Sequence, residues 1–160
     1  MNATPGAGLS TAARAAADAG DAERLVADLR DLVRDRSLTG DEDGIQARLA
    51  DRLEAIGLDV EVFHPDPAAI REDPDWPGEE VPRTSLPVVL GRAGGGGGPR
   101  LILSGHVDVV PTGDPATWSG DPSSGEVRDG ELHGRGACDM KGGVAAILAA
   151  VRALGTTGAL

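Results

Sequence analysis

Apolar residues recur with helical spacing in three parts of the chain. The first predicted helix follows Asp21, a suitable N-cap, and carries apolar residues every three to four positions across residues 25–33. A second amphipathic pattern covers residues 45–56, and Gly57 follows it as a helix stop. The Ala-rich residues 141–154 predict the third helix.

Other segments show the patterns of strands. Residues 58–63 alternate apolar and acidic side chains, which is typical of a half-buried strand. Residues 86–90 predict a second strand, and residues 101–110 a third that is the most apolar. Short runs at 126–133 flank an Asp-Gly pair and predict a hairpin. The order of elements therefore predicts an α/β fold, with a mixed sheet flanked by helices.

Two connections between these elements are rich in turn-forming residues. Residues 64–87 contain six prolines and many acids, so we expect a long irregular excursion. The five glycines of 94–98 suggest a phosphate-binding loop, but they lie between two strands and lack a following Gly-Lys-Ser/Thr. A flexible connector between strands is the better interpretation.

Composition restricts the partners and the compartment. The 160 residues are enough for one core, with residues 1–20 interpreted as a flexible or helical leader. A net charge of −11 argues against nucleic acid and anionic membranes as partners, and no apolar stretch is long enough to span a bilayer. The single cysteine, Cys138, cannot form an internal disulfide, which favours the reducing cytoplasm.

Candidate chemistry begins at the end of the most apolar strand. His106 and Asp108 are two residues apart and therefore share one face, while Val107 and Val109 face the core. His106 offers a ring nitrogen to a metal, and Asp108 can accept the other ring N–H and fix the tautomer. The alternative is a structural histidine that is hydrogen-bonded by a neighbouring carboxylate.

A second candidate lies in the glycine-rich sequence before the third helix. Asp139 has two oxygens and could bridge two divalent cations. Its alternative role is to cap the helix that follows. Lys141 is the only lysine beside fourteen arginines, and it could contact a carboxylate or the chain turn, or simply be an exposed lysine.

The remaining reactive or aromatic side chains have simpler interpretations. Cys138 lacks an evident base and is predicted to be a small buried filler. His64 and His133 are expected at the surface or in the hairpin. Trp118 is expected to fix the Gly/Pro-rich loop that follows the His-Val-Asp strand.

Together these motifs resemble the M20 metallopeptidase family. The resemblance rests on Ser-Gly-His-Val-Asp-Val-Val-Pro at residues 104–111 and on Gly-Arg-Gly-Ala-Cys-Asp-Met-Lys-Gly-Gly at residues 134–143, with a loop tryptophan between them. It is nearest to the branch that contains acetylornithine deacetylase and succinyl-diaminopimelate desuccinylase. Residues 21–160 would then form the N-terminal part of a catalytic domain that lacks the family's lid domain.

The resemblance implies a hydrolase with two zinc ions, or cobalt in some members, acting on the amide bond of N-acyl amino acids or small peptides. His106 would be a ligand of one metal, Asp139 the bridging ligand, and Asp108 the catalytic-site carboxylate that orients His106. The peptide bond after Asp139 would be cis. A homodimer would be compatible with the full-length parent.

The sequence also departs from this family. The adjacent glutamates expected some tens of residues after Asp139 are absent, and Glu79-Glu80 lies upstream in the Pro-rich excursion. We therefore expect the 160 residues alone to be inactive, because zinc sites need at least three protein ligands. The alternatives are a non-catalytic truncated product and an α/β binding module in which the His-Val-Asp sequence is structural.

Overall fold

A computed structural model describes residues 10–95 and 100–158 of the chain. The helices are α1 (Thr11–Asp18), α2 (Ala22–Arg34), α3 (Asp43–Ile56), α4 (Pro67–Arg71) and α5 (Gly142–Thr156). The strands are β1 (Asp59–Phe63), β2 (Val88–Arg92), β3 (Glu126–Arg128) and β4 (Glu131–His133). A short 3₁₀ turn covers Pro115–Thr117, and an irregular turn, Ala137–Lys141, leads into α5.

The predicted helices α2, α3 and α5 are confirmed, and local signals explain their ends. The Asp21 carboxylate accepts a hydrogen bond from the Arg24 N–H at 2.8 Å and so caps α2. Gly57 follows α3 with φ +95°, the left-handed conformation that glycine adopts at little cost.

These three helices enclose the core. It contains buried residues from α2, α3, α5 and residues 101–110: Leu32, Ile45, Leu49, Val107, Val144, Ala145 and Leu148. Asp28 of α2 is also buried, and its carboxylate pairs with Arg52 of α3 at 3.2 Å and with Arg152 of α5 at 2.8 Å. This ionic cluster connects the helices at a position where an unpaired charge would be costly.

The strands form two antiparallel pairs. β1 and β2 pair with Asp59 opposite Arg92 and Phe63 opposite Val88. β3 and β4 form the predicted hairpin, whose turn residues Asp129 and Gly130 have φ values of 53° and 84°. Positive φ at both central residues is the geometry of a tight hairpin turn.

Residues 101–110 run extended but do not join a ladder along their length. Within the described residues their one strand contact is the isolated parallel bridge between Leu38 and Val109. Leu101 and Ile102 are 83% and 84% exposed. Apolarity predicted the strand, but strand pairing also needs a neighbouring backbone, and between this segment and β2 lies an open groove of about 350 Å³.

The predicted α/β class is confirmed by this arrangement of helices and small sheets. Among the described residues the strands form two separate antiparallel pairs rather than one mixed sheet, and the parallel Leu38–Val109 bridge belongs to neither pair. The excursion after β1 is irregular apart from the short helix α4.

Parts of the expected leader and of the glycine connector lie outside the described residues. In the leader these are residues 1–9; in the connector they are residues 96–98. The rest of the leader includes α1, where Ala16 is buried. The division at residue 20 remains a prediction. Across residues 10–95 and 100–158, the helices are all too short or too polar to cross a bilayer.

Candidate metal centre

The end of the extended segment presents His106 and Asp108 on one face. Val107 and Val109 are only 4% and 6% exposed, and they anchor the alternate positions in the core. Because successive side chains point to opposite faces, the histidine and the aspartate are directed away from the core. The predicted alternation is therefore present although the segment lacks a full ladder.

Asp139 lies in the irregular turn, Ala137–Lys141, that precedes α5. Its φ and ψ are −123° and 100°, which is non-helical, and the Asp139–Met140 peptide bond is cis, as the resemblance implies. The Asp139 side chain makes no capping hydrogen bond to α5, whose N-cap residue is Lys141. Its carboxylate is 87% exposed and faces the histidine.

His106 lies between two carboxylates. Its Nδ1 is 3.1 Å from Asp108 Oδ1, and its Nε2 is 3.0 Å from Asp139 Oδ1. The two aspartates therefore contact different ring nitrogens. One ring nitrogen contacts an aspartate of the same segment, and the other contacts an aspartate that lies 33 residues later in the sequence.

The orientation of Asp108 depends on residues far away in the sequence. Thr39 Oγ1 donates a hydrogen bond to Asp108 Oδ2 at 3.0 Å, which leaves Oδ1 for the imidazole. Arg83, from the Pro-rich excursion, lies 3.9 Å from the same Oδ2 and also pairs with Glu42 at 3.2 Å. The sequence patterns gave no signal for Thr39 or Arg83, because neither belongs to a motif.

The carboxylates change the protonation of the histidine. Partial burial acts to lower the pKa of His106, but the hydrogen bond to Asp139 and the negative charge of Asp108 outweigh it. The pKa of His106 is therefore raised above its ordinary value of 6.5. Metal binding at Nε2 has to compete with this proton.

The donor set fits a divalent metal. An imidazole nitrogen and a carboxylate oxygen are both normal zinc ligands, and two ligands of a tetrahedral zinc stand about 3.3 Å apart. The observed separation of Nε2 and Oδ1 is 3.0 Å, close to that value. Among the described residues, however, no group of three or more His, Cys, Asp or Glu side chains is arranged to hold a metal. A complete centre therefore needs further donors.

Comparison with known proteins places this site in a family context. Residues 102–160 match the family model described as peptidase family M20/M25/M40. That region includes His106, Asp108 and Asp139. The M20 resemblance is confirmed.

Curated relatives extend the similarity toward the N-terminus. The chain is 44% identical over 122 residues to a succinyl-diaminopimelate desuccinylase of Methylobacterium nodulans, covering 76% of this chain and 27% of the relative. It is 41% identical over 123 residues to the enzyme of the same name from Leptothrix cholodnii, covering 77% and 29%. The chain thus spans between a quarter and a third of the length of these relatives.

Lys141, in the glycine-rich motif at residues 134–143, is buried, so its interpretation as an exposed lysine is wrong. It is 0% exposed, and its Nζ donates a hydrogen bond to the Asp35 carbonyl oxygen at 2.7 Å. Burial lowers its pKa, which the charge of Asp35 partly offsets. The aliphatic stem passes beneath Gly136, whose φ of +80° and lack of a Cβ leave room for it.

Cys138, in the same M20 motif, is exposed, so its prediction as a buried filler is wrong. The irregular turn that presents Asp139 also directs this neighbouring side chain to solvent. Local sequence could not predict this, because an irregular turn shows neither the alternation of a strand nor the periodicity of a helix.

The other side chains agree with their predicted roles. Trp118 Nε1 donates to the Thr112 carbonyl at 2.9 Å, and the Arg135 guanidinium lies 5.1 Å from its ring centroid, so the tryptophan fixes its loop against the M20 motif. His133 lies on β4 of the hairpin, and His64 contacts Ser85.

Glu79 of the upstream glutamate pair is paired within the Pro-rich excursion. Arg71 binds both Glu79 carboxylate oxygens, at 3.0 and 2.9 Å. These hydrogen bonds hold the pKa of Glu79 below its ordinary value. Its negative charge is therefore committed to a contact within the excursion.

Proposed function

We propose that this chain supplies part of the metal centre of an M20-type amidohydrolase, in which His106 is a ligand of one divalent ion and Asp139 bridges two. The observation that carries the proposal is the convergence of His106 Nε2 and Asp139 Oδ1 at 3.0 Å, with Asp108 on the opposite ring nitrogen. An imidazole backed by a carboxylate is a recurrent arrangement at zinc sites.

Each residue has a separate role in this proposal. Asp108 accepts the Nδ1–H of His106, which keeps the Nε2 lone pair directed toward the ion. The Asp139 carboxylate, which is largely exposed, has two oxygens available for bridging. A divalent ion bound there would supply Lewis acidity toward the amide carbonyl and toward water. We propose zinc as that ion, with cobalt as a substitute.

The proposed substrate is an N-acyl amino acid. The relatives described above are named succinyl-diaminopimelate desuccinylase, which favours a succinyl amide over N-acetylornithine within the same family. The reaction would be hydrolysis of the amide, which releases succinate and a free amine. The acidic surface and the small-molecule substrate are consistent with a cytoplasmic protein.

We further propose that the 160 residues alone do not turn over substrate. The described part of the chain brings together two candidate metal ligands, His106 and Asp139, whereas catalytic zinc sites have three protein ligands and an open position. Further donors would come from additional polypeptide, in the same protein or in a second copy. A homodimer is one arrangement that could supply them.

The test compares substrates and protein forms. A tag is added to the N-terminus of the protein by editing its gene at the native locus. The protein is purified with zinc and assayed for amine release from N-succinyl-diaminopimelate and from N-acetylornithine. The recombinant 160-residue chain is assayed in parallel. Asp139→Asn and His106→Ala are the site variants, and His64→Ala is the matched histidine control.

The proposal predicts release of succinate by the natively produced protein and a loss of at least 100-fold in both site variants but not in His64→Ala. Faster release from N-acetylornithine would replace the desuccinylase assignment and keep the amidohydrolase. Site variants that retain full activity would refute the metal-centre roles. Zinc binding without dependence on Asp139, and without hydrolysis, would favour a binding module with a structural His-Val-Asp sequence.

A further inference from the structure

The segment that follows α2, residues 35–39, touches both halves of the candidate centre without contributing a ligand. We call it the connecting segment. Its Ser37 is buried, its hydroxyl donates to the Val107 carbonyl at 2.5 Å, and its own carbonyl accepts from the Val109 N–H at 2.8 Å. These bonds fix the strand end on both sides of Asp108.

A further contact of the connecting segment reaches Asp108 itself. The Thr39 N–H donates to the Val109 carbonyl at 3.3 Å, and the Thr39 hydroxyl donates to the Asp108 carboxylate at 3.0 Å. The segment thus holds both the backbone and the side chain that orient His106.

Lys141 connects the same segment to the turn that carries Asp139. Its Nζ donates to the Asp35 carbonyl, and its backbone N–H donates to the Gly136 carbonyl at 2.9 Å. Asp35 is the C-cap of α2, where helix carbonyls concentrate negative potential, so a buried ammonium is stabilised there. Asp35 is itself fixed, because its carboxylate pairs with Arg48 of α3.

We infer that the connecting segment sets the separation between His106 and Asp139, and that Lys141 is the positioning residue that holds the Asp139 turn to it. The inference rests on the proposed metal centre. The two donors lie on segments 33 residues apart, and both segments are bonded to the same five residues. A point ammonium reaching one carbonyl defines this distance in a way that an apolar side chain could not.

The experiment uses Lys141→Met, which keeps most of the stem and removes the ammonium. Arg152→Met is the matched control, because Arg152 also bonds to α2, through Asp28, but lies roughly 16 Å further along α5. The chain is labelled with ¹⁵N-histidine, and the ring nitrogens of His106 are followed by NMR at fixed pH, first without metal and then during a titration with Zn²⁺ alone. His64 and His133 provide internal references.

Without metal, Lys141→Met is expected to shift the Nε2 signal of His106, which faces Asp139, more than its Nδ1 signal, which faces Asp108. The shift should exceed any change at His64 or His133, and Arg152→Met should leave His106 unchanged. With zinc, the affinity at His106 should fall at least tenfold in Lys141→Met only.

A folded Lys141→Met chain whose His106 signals match those of the wild type would overturn the inference, as would an equal shift in Arg152→Met. If Lys141→Met does not fold, Ser37→Ala decides instead, because it removes the hydroxyl that holds the Val107 carbonyl on the other arm of the connecting segment. The inference then predicts a change in the His106 ring signals that exceeds any change at His64 or His133, and unchanged His106 signals would overturn it. A wild-type chain without a saturable zinc response at His106 would count against the proposed function alone, since the metal-free signals still test the positioning.

Discussion

Replacing Asp108 with alanine tests whether the carboxylate behind the histidine supports metal binding. In the structure Asp108 Oδ1 lies 3.1 Å from His106 Nδ1, and the side chain is 31% exposed. Partners of metal-bound histidines typically change affinity by about 10- to 100-fold, which corresponds to about 1.4–2.7 kcal/mol. Partial exposure screens the interaction, so the expected loss is near the lower limit, about tenfold.

The assay is a Zn²⁺ titration of the 160-residue chain, read from the His106 ring signals. Asp108→Asn is the graded control, because its amide oxygen can still accept the Nδ1–H although the charge is lost, and we expect a smaller, few-fold effect. The near-ultraviolet circular dichroism of the tryptophans verifies that each variant is folded. If Asp108→Ala binds zinc as tightly as the wild type, the proposed support of His106 by Asp108 is wrong.

Three further predictions concern His106, the glycine-rich sequence that leads into the turn at 137–141, and the extended segment 101–110. His106 should titrate above pH 6.5 in the metal-free chain, and Asp139→Asn should lower the midpoint of that titration. The stabilisation from the ion pair is complete below about pH 6.5 and disappears as the pH rises through the raised folded-state pKa. An NMR midpoint at or below 6.5 would contradict this prediction. Gly136→Ala should lower the free energy of unfolding in urea by about 2–5 kcal/mol, because φ is +80° and the new Cβ would meet Val109 Cγ1 at 2.5 Å. The control Gly113→Ala has a φ of +74° but open space around the new Cβ, so it should cost only about 1–2 kcal/mol. Equal losses in the two variants would refute the packing argument. Amides 102–106 should exchange hydrogen rapidly while Val109, bonded to Ser37, is protected, and slow exchange at 102–106 would show that the segment has a strand partner.

Local signals in the sequence were sufficient for most helices and for the hairpin. The cap at Asp21, the stop at Gly57 and the Asp-Gly turn act over a few residues, so they can be interpreted without knowledge of the rest of the fold. The extended segment at 101–110 shows the limit of this approach. Its apolar composition is a local property, but its hydrogen-bonding partners are not.

The sequence also predicted the candidate metal ligands, but not the residues that orient them. Alternation placed His106 and Asp108 on one face, and the family motif implied that Asp139 would join them. No pattern could have identified Thr39 or Arg83, since their contacts with Asp108 depend on tertiary packing across more than 20 residues of chain. Lys141 was notable as the only lysine, but its burial follows from the space beneath Gly136 and the position of the Asp35 carbonyl.

The most direct test of the metal centre is a crystal structure of the natively produced protein grown with zinc, with diffraction data collected at the zinc absorption edge. The anomalous difference map locates the metal without reference to the surrounding atoms. We predict a peak about 2.0–2.2 Å from both His106 Nε2 and an Asp139 oxygen, with Asp108 still bonded to Nδ1. Zinc bound elsewhere, with His106 and Asp139 still hydrogen-bonded to each other, would contradict the account.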